Sequence, residues 1–308
     1  MVKQHGATAP RVAIVTGAGT GLGRAYALRL AADGMRVIVN NRRREVDAAG
    51  LGSADRVVAE IVAAGGEAVP NHEDVTAEGA GERLLAQALD TWGRLDALVN
   101  NAGVDQHAPF HRIELPDFRR IFEINFFGTV QVTHPVWRHM REARHGRVVV
   151  STSAAGLHGL HGLSSYAASK AALIGLARSL AAEGASRDVF CNAVAPFAAT
   201  RMTAAHATEG DGSEHLAPEL VAPLVSALVS AGSRVNGEVL VTGGGRVRRS
   251  ATVECEPLLE VSRLDPTDAS AQRSFTPLHI EGSCREFRNA LESYADFRSR
   301  VVGGLRQP

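Results

Sequence analysis

Short, continuously apolar runs alternate along this chain with longer stretches whose apolar residues recur every three to four positions. The runs lie at 11–16, 35–40, 67–70, 95–100, 146–152, 189–195 and 237–242. They are rich in Val, Ile and Ala. A strand with one wet face would alternate apolar and polar residues, so unbroken runs predict strands buried on both faces. The intervening stretches at 21–33, 53–64, 78–92, 116–142, 164–184 and 218–230 carry a helical period. Pro135 falls inside the longest of these and predicts a kink there. Strand–helix alternation of this kind predicts an α/β fold, a doubly wound parallel sheet in one domain over 1–245.

The alternation stops near residue 246. The tail, 246–308, carries Pro257, Pro266 and Pro277, which suggest an extended path. Near 284–302 it places Phe287, Leu291, Tyr294, Phe297 and Val301 on roughly one helical face. A disordered segment rarely carries so many apolar residues. The tail is therefore expected to be a C-terminal extension that packs on the same or a neighbouring subunit.

Composition narrows the function classes. The chain has 308 residues, 45% of them hydrophobic, and a formal net charge of +0. A general nucleic-acid or anionic-membrane binder would carry a basic surplus, so neither partner is expected. No apolar run approaches the ~18 residues of a membrane span. The first residues show no apolar signal core, which points to the cytoplasm. Cys191, Cys255 and Cys284 lack metal-ligand spacing and are expected to be reduced thiols.

Three stretches carry candidate chemistry. Thr16-Gly-Ala-Gly-Thr-Gly-Leu-Gly23 follows the first strand and opens the first helix. Its glycines permit a tight turn and close approach of backbone to a pyrophosphate, and the helix N-terminus offers free N–H groups. Gly17, Thr20, Gly21, Leu22 and Gly23 are thus candidate cofactor residues. After the second strand stands Asn40-Asn-Arg-Arg-Arg44. An acidic residue there would bind the adenosine ribose 2′-OH, whereas arginine pairs with a 2′-phosphate. Asn41 and Arg42 therefore favour NADP(H), with NAD(H) the alternative. Asp74-Val75 and Asn100-Asn-Ala-Gly103 end strands at the same edge of the sheet, where ligands bind in such folds.

The third stretch is Tyr166-Ala-Ala-Ser-Lys170. Of 33 basic residues only Lys3 and Lys170 are lysine, so lysine at 170 stands out. At i, i+4 the pair shares a helix face. An ammonium beside a phenol favours the phenolate and should lower the Tyr166 pKa, making a general acid/base. Ser153, thirteen residues earlier, could donate to a substrate oxygen, with Ser151 and Thr152 as competing hydroxyls. Asn125 lies in the long helical stretch. His158 and His161 have an i, i+3 spacing that zinc ligands can adopt, but no third ligand accompanies them and no metal is expected.

In order and separation, these motifs resemble the short-chain dehydrogenase/reductase family over 10–245, which implies a Rossmann-like fold. The resemblance implies an oxidoreductase (EC 1.1.1.-) moving a hydride between nicotinamide C4 and a carbonyl or secondary alcohol. It implies Tyr166 as proton donor or acceptor, Lys170 on the nicotinamide ribose, Ser153 on the substrate oxygen and Asn125 supporting a relay water. It also implies that Asp74, Val75, Asn101, Ala102, Gly103, Pro196 and Thr200 contact the cofactor, although Phe197 replaces the family's glycine and Thr200 falls one residue early. Helices over 116–142 and 164–184 would pair subunits into a homodimer or homotetramer.

A closer resemblance is to the (3R)-hydroxyacyl-CoA dehydrogenase region of the peroxisomal multifunctional type 2 enzymes, in stretches 15–31, 52–61, 127–140, 191–203 and 218–229. Those carry an acidic residue where this chain has Asn41 and a histidine where it has Asn125. Substrate walls are expected at 154–165 and 197–217, with His107, His158, His161, Phe110, Phe197, Met202 and His206 as candidates. The reading is an NADP(H)-dependent ketoreductase. Heavy Arg, Ala and Gly usage suggests a GC-rich bacterial origin, for which secondary metabolism is one plausible home. The rivals are an NAD-dependent (3R)-hydroxyacyl-CoA dehydrogenase and a dinucleotide-binding sensor without turnover.

Overall fold

The structure is a computed structural model that describes residues 9–42, 46–48, 50–200, 215–255, 284–287 and 290–304. Arg43, Arg44, Glu45, Met202, His206 and the three tail prolines lie outside the described residues. The chain divides into two compact units, Met1–Arg249 and Ser250–Pro308.

The first unit is built on β1 (Val12–Val15), β2 (Arg36–Asn40), β3 (Ala68–Asn71), β4 (Ala97–Asn100), β5 (Gly146–Ser151), β6 (Val189–Pro196), β7 (Val239–Gly243) and β8 (Arg246–Ser250). They form one sheet in the order β3-β2-β1-β4-β5-β6-β7-β8. Strands β1 to β7 pair in parallel. The order reverses between β1 and β4, and that switch point opens a crevice at the carboxyl ends of the strands. All four residues of β1 and of β4 are buried, as continuous apolar runs require.

Residues alternate between the two sheet faces along each strand. Ala13, Val15, Val37, Val39 and Val99 pack with α1 (Gly21–Ala32), α2 (Ser53–Ala63) and the later helix α8 (Ala222–Val229). Val12, Ile14, Ile38, Leu98 and Val148 pack on the other face with α3 (Ala80–Trp92), α5 (Gly128–Ala143) and α7 (Ser164–Gly184).

The helical stretch expected over 116–142 differs from its prediction. It comprises α4 (Leu115–Phe122), a π turn (Glu123–Phe127) and α5. α5 runs unbroken through the buried Pro135. Proline removes the donor that Gln131 O would receive, and Gly81 of α3 packs directly on that carbonyl. The α-helical hydrogen-bond pattern is interrupted at the π turn. There the Asn125 carbonyl accepts a hydrogen bond from the Thr129 hydroxyl (2.9 Å). In the first unit β8 and the five-residue helix α6 (Ala154–His158) went unforeseen. Gly244 and Gly245 both have positive φ and fold β8 back beside β7.

In the second unit β9 (Val253–Cys255) pairs antiparallel with β10 (Cys284–Glu286), and α9 (Ala290–Gly304) follows. The helix expected near 284–302 thus begins as a strand. Cys284 is disulfide-bonded, and the residue opposite it across the ladder is Cys255. This corrects the expectation of three reduced thiols: directly opposed positions in an antiparallel pair have the Cα spacing a disulfide needs. Cys191 is free and buried. Among the described residues no helix is long and apolar enough to cross a membrane.

Candidate active site

A cleft of about 870 Å³ runs along the carboxyl edge of the sheet. It is lined at its centre by Gly17, Thr20, Gly21 and Leu22, at one end by Asn41, Arg42 and Asp74, and at the other by Tyr166 and Lys170. Val75, Asn101, Ala102, Gly103, Pro196 and Thr200 also line it. The structure therefore brings the separate sequence candidates to one place.

The glycine-rich turn is shaped for a ligand with oxygens. Gly17 has φ of +62°, and a Cβ there would sit 2.7 Å from the Ala102 Cα. Gly23 packs on the Gly17 carbonyl, closer than any side chain would permit. Asn101 fastens this turn to β4 through Nδ2 bonds to the carbonyls of Thr16 and Gly17, both 3.2 Å. The Thr16 hydroxyl accepts from the N–H groups of Asn101 (3.0 Å) and Ala102 (3.1 Å). Thr20, which precedes α1, makes no side-chain cap, and no acidic residue occupies the first turn. The N–H groups of that turn are left for an anion, and the residues present fit a pyrophosphate.

At the far end, Asn41 donates from Nδ2 to the Ser53 hydroxyl (2.6 Å). Arg42 reaches the Asp74 carboxylate (3.1 Å). Burial pushes the Asp74 pKa up, but hydrogen bonds from Thr76 and Arg42 outweigh it and leave the carboxyl below its usual value.

The opposite end holds the hydroxyl and the amine. Ser153 caps α6 by accepting from the Ala155 N–H (3.1 Å) and hydrogen-bonds Tyr166. Thr152 instead donates to the Lys170 carbonyl (2.6 Å), and the Ser151 side chain is buried beneath the sheet edge. The three competing hydroxyls are thereby separated, and Ser153 is the one beside the phenol.

Burial raises the Tyr166 pKa, the Ser153 bond lowers it, and the charge of Asp105 raises it, with a net upward shift. This corrects the expected fall. The Lys170 ammonium lies 5.7 Å from the ring centroid. It is 4% exposed and donates to the Ser151 carbonyl (2.7 Å). Burial lowers its own pKa to about 8. Burial and Asp105, rather than the ammonium, decide the direction of the Tyr166 shift.

Asn125 is fully buried. Its Oδ1 accepts from the Val104 N–H (2.8 Å), while Nδ2 donates to the Val104 carbonyl (2.9 Å) and the Ser169 hydroxyl (3.1 Å). Ser169 in turn donates to the Tyr166 carbonyl (2.8 Å). Asn125 thus ties the loop after β4 to the helix that carries Tyr166 and Lys170. A Cβ on Gly103 would stand 3.2 Å from Asn125 Oδ1 and 3.3 Å from Lys170 Nζ.

His158, His161, Phe110 and Phe197 are exposed, and His107 packs against Gly162. Among the described residues no group of three His, Cys, Asp or Glu is placed to hold a metal. Sequence reasoning missed Ser53, Arg56, Asp105 and Ser169. Ser169 had a signal, as the remaining polar residue inside Tyr166–Lys170; Ser53 and Arg56 in α2 and Asp105 in its loop belong to no motif that would mark them.

Residues 11–211 match the short chain dehydrogenase family. A short-chain type dehydrogenase/reductase of Mycobacterium tuberculosis is 43% identical over 243 residues, covering 78% of this chain and 85% of that one. Peroxisomal multifunctional enzyme type 2 of Mus musculus is 44% identical over 237 residues. That match covers 76% of this chain, and the chain spans only 32% of the mouse protein. The crystal structure of a short chain dehydrogenase from Mycobacterium avium superposes with a TM-score of 0.74 at 35% identity, covering 86% of this chain and 93% of that one.

Proposed function

Since the chain belongs to the short-chain dehydrogenase family of oxidoreductases, which bind NAD(P)(H), we propose that it is an NADP(H)-dependent ketoreductase. The observation that carries this reading is the phenol of Tyr166, hydrogen-bonded to Ser153 and lining the cleft together with Lys170. A phenol held protonated near neutral pH is ready to give a proton, and reduction of a carbonyl consumes one.

A bound dihydronicotinamide supplies the hydride. As the carbonyl carbon receives it, the π electron pair moves to oxygen. Ser153 donates a hydrogen bond to that oxygen, and Tyr166 gives it the proton, forming the alcohol and a phenolate. Lys170, with a pKa near 8, can pass a proton back to the phenolate and be recharged through the cleft it lines. Asn125 acts as a positioning residue through Val104 and Ser169. Asn41 and Arg42 support NADP(H), because a neutral amide replaces the carboxylate that would seek a free 2′-OH.

A second reading draws support from the 44% identity to the mouse peroxisomal enzyme: an NAD-dependent (3R)-hydroxyacyl-CoA dehydrogenase. Turnover with NADPH and β-ketoacyl thioesters or simple ketones, compared with NAD and a (3R)-hydroxyacyl-CoA, separates the two. Faster oxidation with NAD would favour the second. Tyr166→Phe should retain dinucleotide binding and lose turnover by about 10²-fold or more; undiminished turnover would remove Tyr166 as the proton donor, and a wild type that binds dinucleotide without turnover would leave only a sensor role. The proposed working form is a cytoplasmic homodimer or homotetramer, with bacterial secondary metabolism as a setting and the C-terminal unit packed on its own or a neighbouring subunit.

A further inference from the structure

Arg42, the side chain first suggested for a 2′-phosphate, is shared with the Asp74 carboxylate. Two residues of α2 stand on the same wall of the cleft: Ser53 in its first position and Arg56 one turn on. We infer that Ser53 and Arg56 receive the adenosine 2′-phosphate and set the choice between the two dinucleotides, a deepening that rests on the NADP(H) reading above.

The placement follows from contacts. Ser53 accepts a hydrogen bond from Asn41 (2.6 Å), so its own hydroxyl hydrogen is directed elsewhere and can meet an acceptor. The same pair touches the phosphate turn: a Cβ on Gly19 would collide with the Ser53 hydroxyl and lie 2.7 Å from Asn41 Nδ2. Whatever passes over Gly19 toward the adenosine end therefore meets Ser53. Arg56 donates to the Leu51 carbonyl (3.2 Å) and lies 3.4 Å from the Asp47 carboxylate. That ion pair is long and nearly half exposed. A phosphate monoester is close to a dianion at neutral pH and accepts from a guanidinium fork. It is the stronger partner, and Asp47 is its competitor for Arg56. A ribose 2′-OH offers neither the charge nor the extra acceptors, so NADH gains nothing from this pair.

The test is fluorescence titration of the full chain with NADPH and with NADH. Arg56→Ala should weaken NADPH about tenfold or more and leave NADH within about twofold. Ser53→Ala should move NADPH the same way by less. Asp47→Asn, which releases Arg56 yet keeps an oxygen for the Leu51 N–H it accepts, should tighten NADPH alone. A wild-type protein without NADPH preference would overturn the cofactor reading and this assignment together. A wild-type preference that survives Arg56→Ala and Ser53→Ala but is lost in Arg42→Ala would overturn this assignment and leave the cofactor reading standing. Should Arg56→Ala fail to fold, unchanged NADPH affinity in Asp47→Asn overturns the assignment.

Discussion

Lys170 carries its charge into a place with almost no water, and its stability contribution has a definite sign. Its pKa falls from 10.5 to about 8 because burial penalises the ammonium. Below pH 8 both folded and unfolded chains hold the proton, and the fold bears the desolvation penalty. Between pH 8 and 10.5 the folded chain has released the proton while the unfolded chain keeps it, so stability rises with pH through that window. The melting temperature of the wild type relative to Lys170→Met should therefore climb from pH 8 to 10.5; a constant difference would show that the ammonium is not desolvated. Tyr166 behaves oppositely, since its raised pKa keeps the phenol protonated. Initial rates of reduction should stay flat across neutral pH, while oxidation, which needs the phenolate, rises with pH. Ser153 lowers the Tyr166 pKa, so Ser153→Ala should move the oxidation limb to higher pH. A limb that stays in place would remove Ser153 from contact with the phenol.

The close approach of α3 to α5 depends on the absence of one methyl group. A Cβ at Gly81 would strike the Gln131 carbonyl and come within 2.7 Å of the Pro135 ring. Carbonyl and ring are both fixed, so Gly81→Ala should destabilise the protein by about 1–3 kcal/mol in chemical denaturation, with dinucleotide affinity retained. An unchanged midpoint would mean the helices separate freely. The same contact explains how the helix continues through Pro135: the freed carbonyl faces a glycine, a fact no local pattern contains. The buried strands were legible because unbroken apolar runs have few other homes. β8 was not, because Arg246, Val247, Arg248 and Arg249 are all exposed at the edge of the sheet and form no apolar run. Tyr166, Lys170 and the glycine turn were legible because their chemistry sets their spacing. Ser53 and Arg56 were not, because α2 is brought to Asn41 by the parallel pairing of β2 with β3, and the intervening loop has no fixed length.

Across the whole molecule, the outer faces of α5 and α7 leave a groove of about 560 Å³ lined by Trp137, Leu176 and Leu180 among Arg138, Arg141 and Glu183. Apolar floor and charged rim are the anatomy of a subunit contact. If this groove pairs subunits as proposed, size-exclusion chromatography with light scattering should find a dimer or tetramer, and Leu180→Glu a smaller species. A wild-type monomer would refute the pairing. The C-terminal unit presents Leu291, Tyr294 and Phe297 at 79%, 63% and 51% exposure, a second apolar face of the kind association covers. The π turn at Glu123–Phe127 immediately precedes α5, which lines that groove. One residue of helix is about 100° of rotation, so the turn acts as a phase setting. It points Asn125 inward at the start of the element and Trp137 toward the groove further on. Losing a single residue there would restore regular helix and leave Asn125 and Trp137 out of step, one or the other facing the wrong way.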